Sequence, residues 1–267
     1  MKISNIQVNH MDKPMGFNLS SLRIDFKIED TNETNLKKQL IISSNDQVVY
    51  DSNLITYNNN YFNVPFNLEP RKHYDVKVIV SGKEKAEGTT FFETGKINEK
   101  WTAKWIANKN KDLQNTLFKK KFSVKDSVKS ARLYITGLGL YEAYLNDQKI
   151  GNEYLTPGST AYDKWVEVQT YDITNQLKED NEILISAADG WYKGNIGFDG
   201  GQINIYGDQQ MAIAELHIKY EDGHEEVINT DASWQTTSGR ITKSGIYYGE
   251  DYDATIEIKD WQNVAVL

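Results

Sequence analysis

The acidic run Glu250-Asp251-x-Asp253 is the segment whose residue types most suggest catalysis. Two carboxyl groups can work as general acid and general base when they face each other across the bond to be broken. Glu250 and Asp251 are adjacent, however, and neighbouring side chains of an extended strand point to opposite faces. We therefore predict a solvated turn at the end of a strand, and we assign no catalytic residue to the chain.

Two other patterns also fall short of a recognisable chemistry. His217 and His224 are separated by a predicted hairpin, and 4 histidines with 0 cysteines offer no metal cluster, so both are expected at the surface. Gly137-Leu138-Gly139 lacks the third glycine and the following helix of a dinucleotide site. A bend in a strand is the better interpretation of that segment.

The elements that must position these residues are strands. Apolar and charged residues alternate over 22–28, 74–78 and 214–220, as half-buried strands require. The last run meets Glu221-Asp222-Gly223-His224 and resumes at Val227, which predicts a hairpin. Helical spacing is absent, and 173–177 is at most a turn. The sequence predicts an all-β protein.

The first hundred residues have the strand spacing of an immunoglobulin or fibronectin III-like sandwich. The predicted strands are 3–8, 22–28, 39–43, 47–50, 61–66, 74–81 and 89–94. Leu68-x-Pro70-x-x-x-Tyr74 resembles a tyrosine corner, in which the preceding backbone satisfies a buried phenol. A polar break at 95–100 places the domain boundary, giving domains 1–97 and 98–267. We expect Trp101 and Trp105 to pack the two domains together, and the longer second domain suits a jelly roll.

Composition excludes several classes of protein. The 267 residues are 39% hydrophobic and 25% charged, as in globular proteins. The net charge of −8 repels phosphate backbones, so nucleic acid is not an expected partner. No apolar run approaches the ~18 residues of a spanning helix, so no membrane is expected either. The polar start Met1-Lys2-Ile3-Ser4-Asn5 shows no signal sequence, which predicts a cytoplasmic protein.

Several collinear motifs resemble those of bacterial α-L-rhamnosidases. The similarity covers nearly the whole chain and is tightest over 101–255. The matching segments are Trp101-Thr102-Ala103-Lys104-Trp105-Ile106, 131–146, Leu155-Thr156-Pro157-Gly158, 169–174, Asp189-Gly190-Trp191-Tyr192-Lys193-Gly194, 205–209 and 249–254. Two departures are Ser159, where relatives often have Trp, and Asn146-Asp147, where they usually have Asn-Gly.

This resemblance implies a fibronectin-like sandwich followed by a galactose-binding-like jelly roll. In that family a separate helical (α/α) barrel hydrolyses the substrate, and this chain reaches Leu267 before any helical repeat begins. We therefore expect the non-catalytic N-terminal part of an α-L-rhamnosidase, inactive by itself. Its expected partners are the catalytic barrel of the same parent chain and rhamnose-containing glycosides. The segments expected to face the barrel are Trp101 with Trp105 and the loop 189–207.

The resemblance also suggests a sugar site in the jelly roll. Sugars need an aromatic face for ring C–H groups and planar oxygens for hydroxyls. The candidate carbohydrate-binding residues are Asn152, Glu153, Trp191, Asp199, Asn204 and Tyr206. No cofactor is required, although some relatives hold calcium with the sugar, which needs six to eight oxygen ligands. Against a sugar site, Ser159 removes one stacking surface, and Trp191 and Tyr192 could instead wedge the edge of the sandwich.

An alternative from another class is a free-standing carbohydrate-binding, lectin-like protein built on the same sandwich. A longer reading frame with several hundred codons of helical pattern after Leu267 would favour the enzyme over the lectin.

Overall fold

The structure is a computed structural model that describes residues 1–125, 127–197 and 201–267. It divides into two compact units, Met1–Lys100 and Trp101–Leu267. The described residues are almost entirely strand and loop, with one short α helix, Gly190–Lys193 (α1), and one 3-10 turn, Thr174–Gln176. The all-β prediction is confirmed. Within the described ranges, no helix is long and apolar enough to cross a membrane.

The first unit contains nine strands. They are β1 (Lys2–Val8), β2 (Met15–Phe17), β3 (Leu22–Glu29), β4 (Lys37–Ser44), β5 (Gln47–Asp51), β6 (Ile55–Thr56), β7 (Tyr61–Val64), β8 (His73–Ser81) and β9 (Lys85–Thr94). One sheet has the order β1-β3-β7, and the other has the order β2-β9-β8-β4-β5 with β6 beside β4. All seven predicted strands are present. The two short strands β2 and β6 were not predicted, because neither is long enough to show an alternating pattern.

The inward residues of both sheets of the first unit form one core, which includes Ile24, Phe26, Leu40, Tyr74 and Phe92. This arrangement is the predicted immunoglobulin-like sandwich. The corner before β8 is also as predicted: the backbone N–H of Glu69 donates to the Tyr74 hydroxyl at 3.0 Å. The phenol is thereby satisfied although Tyr74 is only 1% exposed.

The second unit contains the remaining strands. They are β10 (Ile106–Ala107), β11 (Asn115–Ser123), β12 (Val128–Leu138), β13 (Leu140–Leu145), β14 (Gln148–Lys149), β15 (Gln169–Asp172), β16 (Asp180–Ala188), β17 (Met211–Tyr220), β18 (Glu225–Asn229), β19 (Gln235–Ser238), β20 (Ile241–Gly245), β21 (Gly249–Tyr252), β22 (Gln262–Asn263) and β23 (Ala265–Val266). One sheet has the order β15-β12-β17-β10-β23 with β18 beside β17, and the other has the order β14-β13-β16-β11-β19-β22. The β20–β21 pair is a separate hairpin.

The two larger sheets of the second unit share one core, as expected for a jelly-roll sandwich. Most residues of this core are aliphatic. Its buried aromatic residues are Phe118, Tyr141, Tyr220 and Trp234. The predicted hairpin after residue 220 is present as β17–β18. Asn146 and Asp147 have φ values of 51° and 65°, the left-handed pair that a two-residue hairpin needs.

The bend between β12 and β13 requires a glycine at position 139, both for its backbone conformation and for close packing. Its φ is +116°, and a Cβ there would lie 2.3 Å from the carbonyl oxygen of Ala188. Only glycine lets β12 turn into β13 at this point. The predicted bend in a strand is therefore correct.

The surface prediction for His217 is wrong. Its side chain is only 12% exposed, and its Nε2 hydrogen-bonds Glu215 Oε2 at 3.0 Å. Glu215 is fully buried, and its other oxygen accepts the backbone N–H groups of Thr102 and Ala103. Strand alternation placed His217 on the polar face of β17, but the segment 102–103 covers that face.

Candidate functional site

Three tyrosines from distant parts of the second unit pack together at its loops. The Tyr162 ring lies 5.4 Å from the Tyr192 ring and 5.3 Å from the Tyr206 ring, measured between centroids. The Tyr162 hydroxyl donates to the carbonyl oxygen of Gly158 at 2.6 Å. Burial, with a smaller effect of Tyr206, raises the pKa of Tyr162 to about 12, so this phenol stays protonated at neutral pH.

A buried polar network holds the loop that carries two of these tyrosines. Asp189 and Lys193, at the two ends of α1, form an ion pair at 3.1 Å. Lys193 Nζ also donates to the carbonyl oxygen of Leu113 at 3.0 Å, and Gln210 Nε2 donates to Asp189 Oδ1 at 2.5 Å. Buried ion pairs with additional hydrogen bonds position a segment rigidly. The start of the loop therefore has a well-defined place on the jelly roll.

Three of the predicted sugar-binding residues belong to this loop region. Trp191, in α1, is half-buried next to the buried Tyr192. Asn204 is exposed, and its backbone N–H donates to the Lys193 carbonyl oxygen at 2.9 Å. Tyr206 is half-buried against Tyr162. Asp199, the fourth candidate of this loop, lies outside the described residues.

The other two candidates, Asn152 and Glu153, follow β14 and contact a different cluster. Both are exposed, and Glu153 Oε2 accepts the backbone N–H of Asn152 at 3.0 Å. Burial raises the pKa of Tyr171 to about 12, with a smaller effect of the Glu153 carboxylate beside it. The Glu153 carboxylate thus binds the chain's own groups, whereas the side chain of Asn152 remains exposed.

Metal binding at the candidate residues would require several oxygen ligands close together. Within 1–125, 127–197 and 201–267, no group of three or more His, Asp or Glu side chains is arranged to hold a metal ion. Asn152, Glu153 and Asn204 are the exposed residues among the described candidates.

Sequence reasoning missed a groove on the outer face of the sheet that contains β13, β16 and β11. Its volume is about 560 Å³. The face of these strands that points away from the core forms its floor, and the β20–β21 hairpin with Tyr154 and Leu155 forms its walls. The available signal was the presence of apolar residues at outward positions, such as Leu140, Leu184 and Ala188, where a solvated strand would carry polar ones.

Glu142 is the acid in the floor of this groove, and it does not have the properties of a catalytic acid. Lys149 Nζ and the Tyr144 hydroxyl both donate to its carboxylate at 2.5 Å. Burial alone would raise the pKa of Glu142, but these hydrogen bonds outweigh it and lower the pKa overall. A general acid at neutral pH needs a raised pKa, so Glu142 is an ionised structural group.

The acidic run 250–253 is a strand end followed by a turn, as predicted. Glu250 and Asp251 are consecutive exposed residues of β21. Asp253 Oδ1 accepts the Thr255 backbone N–H at 2.8 Å and the Thr255 hydroxyl at 2.6 Å. These bonds lower the pKa of Asp253 and close the turn.

Comparison with known proteins identifies relatives for both units. A family model described as the Rha78A-like, N-terminal immunoglobulin domain matches residues 3–98. A second, described as the alpha-L-rhamnosidase N-terminal domain, matches residues 126–266. We predicted an immunoglobulin or fibronectin III-like first domain, and the family model that matches it is an immunoglobulin domain.

Curated relatives of this chain are also alpha-L-rhamnosidases, and the similarity covers only a small part of their length. An alpha-L-rhamnosidase of Streptomyces avermitilis is 42% identical over 135 residues, which cover 50% of this chain and 13% of the relative. One of Alteromonas sp. is 37% identical over 177 residues, which cover 61% of this chain and 19% of the relative. This chain thus spans less than a fifth of either protein.

Solved structures extend the similarity to the whole chain. An alpha-L-rhamnosidase from Dictyoglumus thermophilum matches with a TM-score of 0.86 and 29% identity, over 99% of this chain and 34% of that one. One from Aspergillus terreus matches with a TM-score of 0.87 and 28% identity, over 100% of this chain and 34% of that one. Since the match at residues 126–266 covers more than half of the sequence, the chain belongs to the family of alpha-L-rhamnosidase N-terminal domains.

Proposed function

We propose that this chain is the non-catalytic N-terminal part of a larger enzyme that releases terminal α-L-rhamnose from glycosides. The observation that carries the proposal is a match over 99–100% of this chain to solved alpha-L-rhamnosidases, of which it represents only 34%. The remaining part of such an enzyme, a helical barrel, would supply the acid and base carboxylates. The two sandwiches would pack on that barrel and shape the approach to its active site.

The chemistry of the described acids supports an accessory role. Glycoside hydrolysis needs a carboxylic acid that is protonated at working pH and a second carboxylate facing it. Two acids line the groove of the second unit, Glu142 and Glu250. Glu142 is ionised and accepts hydrogen bonds from Lys149 and Tyr144, which suits a structural role, and Glu250 is an exposed residue of β21.

Hydrolysis of 4-nitrophenyl α-L-rhamnopyranoside tests this proposal. The complete protein that carries this chain should release 4-nitrophenol and rhamnose, and the 267-residue chain should release none under the same conditions. Activity of the chain alone would contradict the accessory role. An inactive complete protein that still binds rhamnose would instead support the lectin-like alternative.

Within this function, we propose that the loops of the jelly roll hold a rhamnose unit. Trp191 or Tyr206 would supply the aromatic face, and Asn204 and Asp199 would supply oxygens. The support is the fixed position of Asn204 and Tyr206 relative to α1, together with their exposed or half-buried side chains. Preorganised polar groups beside an aromatic surface are what a sugar site requires.

Calorimetric titration with L-rhamnose, with and without calcium, tests this site. We expect saturable binding that Trp191→Ala weakens about tenfold, the amount that one lost stacking contact explains. Trp165→Ala is the matched control, because Trp165 is 55% exposed in the same unit and is not a candidate. Equal losses in both variants, or no heat at high millimolar sugar, would contradict the proposal. A calcium-dependent signal would add the ion to the site.

A further inference from the structure

The strand β5 lies at the edge of the larger sheet of the first unit. It pairs with β4 on one side, and no strand among the described residues pairs with its other side. An edge strand presents a row of backbone N–H and C=O groups that a strand of another chain can bind. The edge at β5 is therefore a place where a second chain could extend the sheet.

The exposed side chains of this edge are apolar. Val48 is 62% exposed and Val49 is 39% exposed. Ile42 pairs with Tyr50 and Ser43 pairs with Val48, so Val49 is the extra residue of a β-bulge. Two consecutive valines thus lie in contact with water, and pairing with another strand would bury part of their surface.

The next strand along this edge, β6, continues the apolar surface. It pairs with β4 as β5 does. Ile55 in β6 is 42% exposed, and Leu54 just before it is 48% exposed. A partner that covers β5 would therefore find further apolar surface beside it.

Charges do not protect this edge from pairing. Asp51 is the one charged residue in the segment 47–56, which contains no proline. Its carboxylate accepts Gln39 Nε2 at 2.8 and 3.1 Å and the backbone N–H of Asn53 at 2.8 Å. Lysine and proline are the residues that commonly keep edge strands apart, and this segment has neither.

Net charge favours a second copy of this chain as the partner. Residues 1–100 contain 13 Lys and Arg and 13 Asp and Glu, so the first unit is neutral and the net charge of −8 belongs to the second unit. Copies that meet at a neutral unit avoid the repulsion between two acidic ones. The edge strand β18 of the second unit, which has the same length as β5, contains Glu225 and Glu226.

We propose that β5 pairs with β5 of a second copy of this chain, antiparallel and about a two-fold axis. Such pairing is self-complementary, because each copy offers the same strand to the other, and the valines of one copy cover those of its partner. A strand of 5 residues buries less surface than the ~800 Å² per partner of a standard interface. The dimer is therefore weak, and its population rises with protein concentration.

Sedimentation velocity of the 267-residue chain tests the proposal. The sedimentation coefficient should rise from that of a monomer towards that of a dimer between about 10 and about 500 µM, the range in which a weak interface dissociates. A monomer at every concentration would overturn the proposal.

A charge in the middle of β5 should break the dimer. A two-fold axis through the strand brings the two copies of its middle residue, Val49, together, so Val49→Lys places like charges opposite each other. The association constant should fall at least about tenfold. Val48→Lys is a second variant at the same edge. Val227→Lys is the matched control, because Val227 is the middle residue of β18 and is also 39% exposed. Equal association of all three variants would refute pairing at β5.

Cross-linking tests the register of the pair. The chain has 0 cysteines, so a Val49→Cys variant carries one thiol per copy. Directly opposite residues of antiparallel strands have Cα atoms about 4.5–5.5 Å apart, which suits a disulfide. Mild oxidation should therefore link two Val49→Cys copies much faster than two Val227→Cys copies. Equal rates for the two variants would contradict the two-fold pairing.

Sedimentation of the complete protein decides whether β5 is free there. Association that Val49→Lys weakens in the complete protein supports the proposal. A complete protein that stays monomeric while this chain dimerises would show that the rest of the protein covers β5, which would overturn it. Hydrolysis of 4-nitrophenyl α-L-rhamnopyranoside is measured separately, so failure of the dimer and failure of the proposed function are distinguishable.

Discussion

The two units differ in the aromatic residues at their surfaces rather than in those of their cores. Each described core includes four buried aromatic side chains among mostly aliphatic ones. In the first unit these rings stack on each other: the Tyr74 and Phe92 centroids are 5.0 Å apart, and those of Phe26 and Phe62 are 5.9 Å apart. In the second unit further tyrosines, such as Tyr154 and Tyr252, lie exposed at the surface. The same residue type therefore stabilises the fold at a core position and is open to solvent at a surface position.

Each unit contains a buried charged side chain that is held by hydrogen bonds. Lys38 in the first unit is only 2% exposed, and burial lowers its pKa. Its Nζ donates to the carbonyl oxygens of Asn59 and Tyr61, at 3.0 and 2.6 Å, and it lies 4.5 Å from the Phe62 ring centroid. The fully buried Glu215 of the second unit instead has a titratable neighbour, His217.

The largest expected difference in the free energy of unfolding is between removing a core ring and removing a surface ring. Phe92→Ala should lower the free energy of unfolding of the first unit by about 3–5 kcal/mol, because a fully buried ring leaves a cavity. Tyr252→Ala in the second unit should change stability by about 0.5 kcal/mol or less. Urea unfolding followed by far-UV circular dichroism measures both.

Tryptophan fluorescence distinguishes unfolding of the second unit from unfolding of the first. All 6 tryptophans lie at or after residue 101, so their fluorescence reports on the second unit. Phe92→Ala should therefore lower the urea midpoint of the transition seen by circular dichroism and change the midpoint of the fluorescence transition less. Phe91→Ala, which changes a half-buried ring on the opposite face of β9, is the matched control and should cost less. An equal cost for the two phenylalanines would refute the core assignment.

A smaller effect is expected at the buried lysine. Lys38→Met keeps a long side chain but leaves the carbonyl groups of Asn59 and Tyr61 without their donor, which should cost about 1–3 kcal/mol. Lys37→Met, at the exposed neighbouring position of β4, should be close to neutral. Urea unfolding of both variants by circular dichroism measures the difference. A more stable Lys38→Met protein would show that desolvation of the ammonium outweighs its hydrogen bonds.

The smallest effect is a pH dependence in the first unit. Hydrogen bonds from His73 to Glu93, at 3.0 Å, and to Asp75, at 3.2 Å, raise the pKa of His73 despite partial burial. The unfolded chain holds this proton less tightly, so the stabilisation is fully present below a pH of about 6.5 and is lost as pH rises through the raised pKa.

Unfolding of the wild type and of His73→Gln at several pH values tests this. The stability difference between them should shrink from about pH 5.5 to about pH 8.5. It should stay near 0.5 kcal/mol or below, because the group is partly exposed to solvent. A difference that grows with pH would contradict the direction of the shift.

Local sequence patterns predicted most of the strands. Alternation over 22–28 and 214–220 predicted β3 and β17. The order of residues around Tyr74 predicted the hydrogen bond from Glu69. Such features depend on neighbours within a few residues, and those neighbours can be read directly.

The misses arise where distant segments meet. His217 was expected at the surface, but it hydrogen-bonds the buried Glu215, which also binds the backbone of segment 102–103, more than a hundred residues away. Glu153 lies beside Tyr171 and binds the backbone of Asn152, whereas Tyr206 packs on Tyr162. Alternation shows which side of a strand is apolar but not which segment lies over that side.

The sequence by itself determined the fold class, the strand pattern and the family resemblance, because these follow from local periodicity and motif order. Only the tertiary structure decided that Leu184 and Arg240 line one groove. That groove exists because β11, β13 and β16 come together in one sheet and the β20–β21 hairpin lies over their outer face. Pairing between distant strands is a property of the folded chain as a whole, and the groove depends on it.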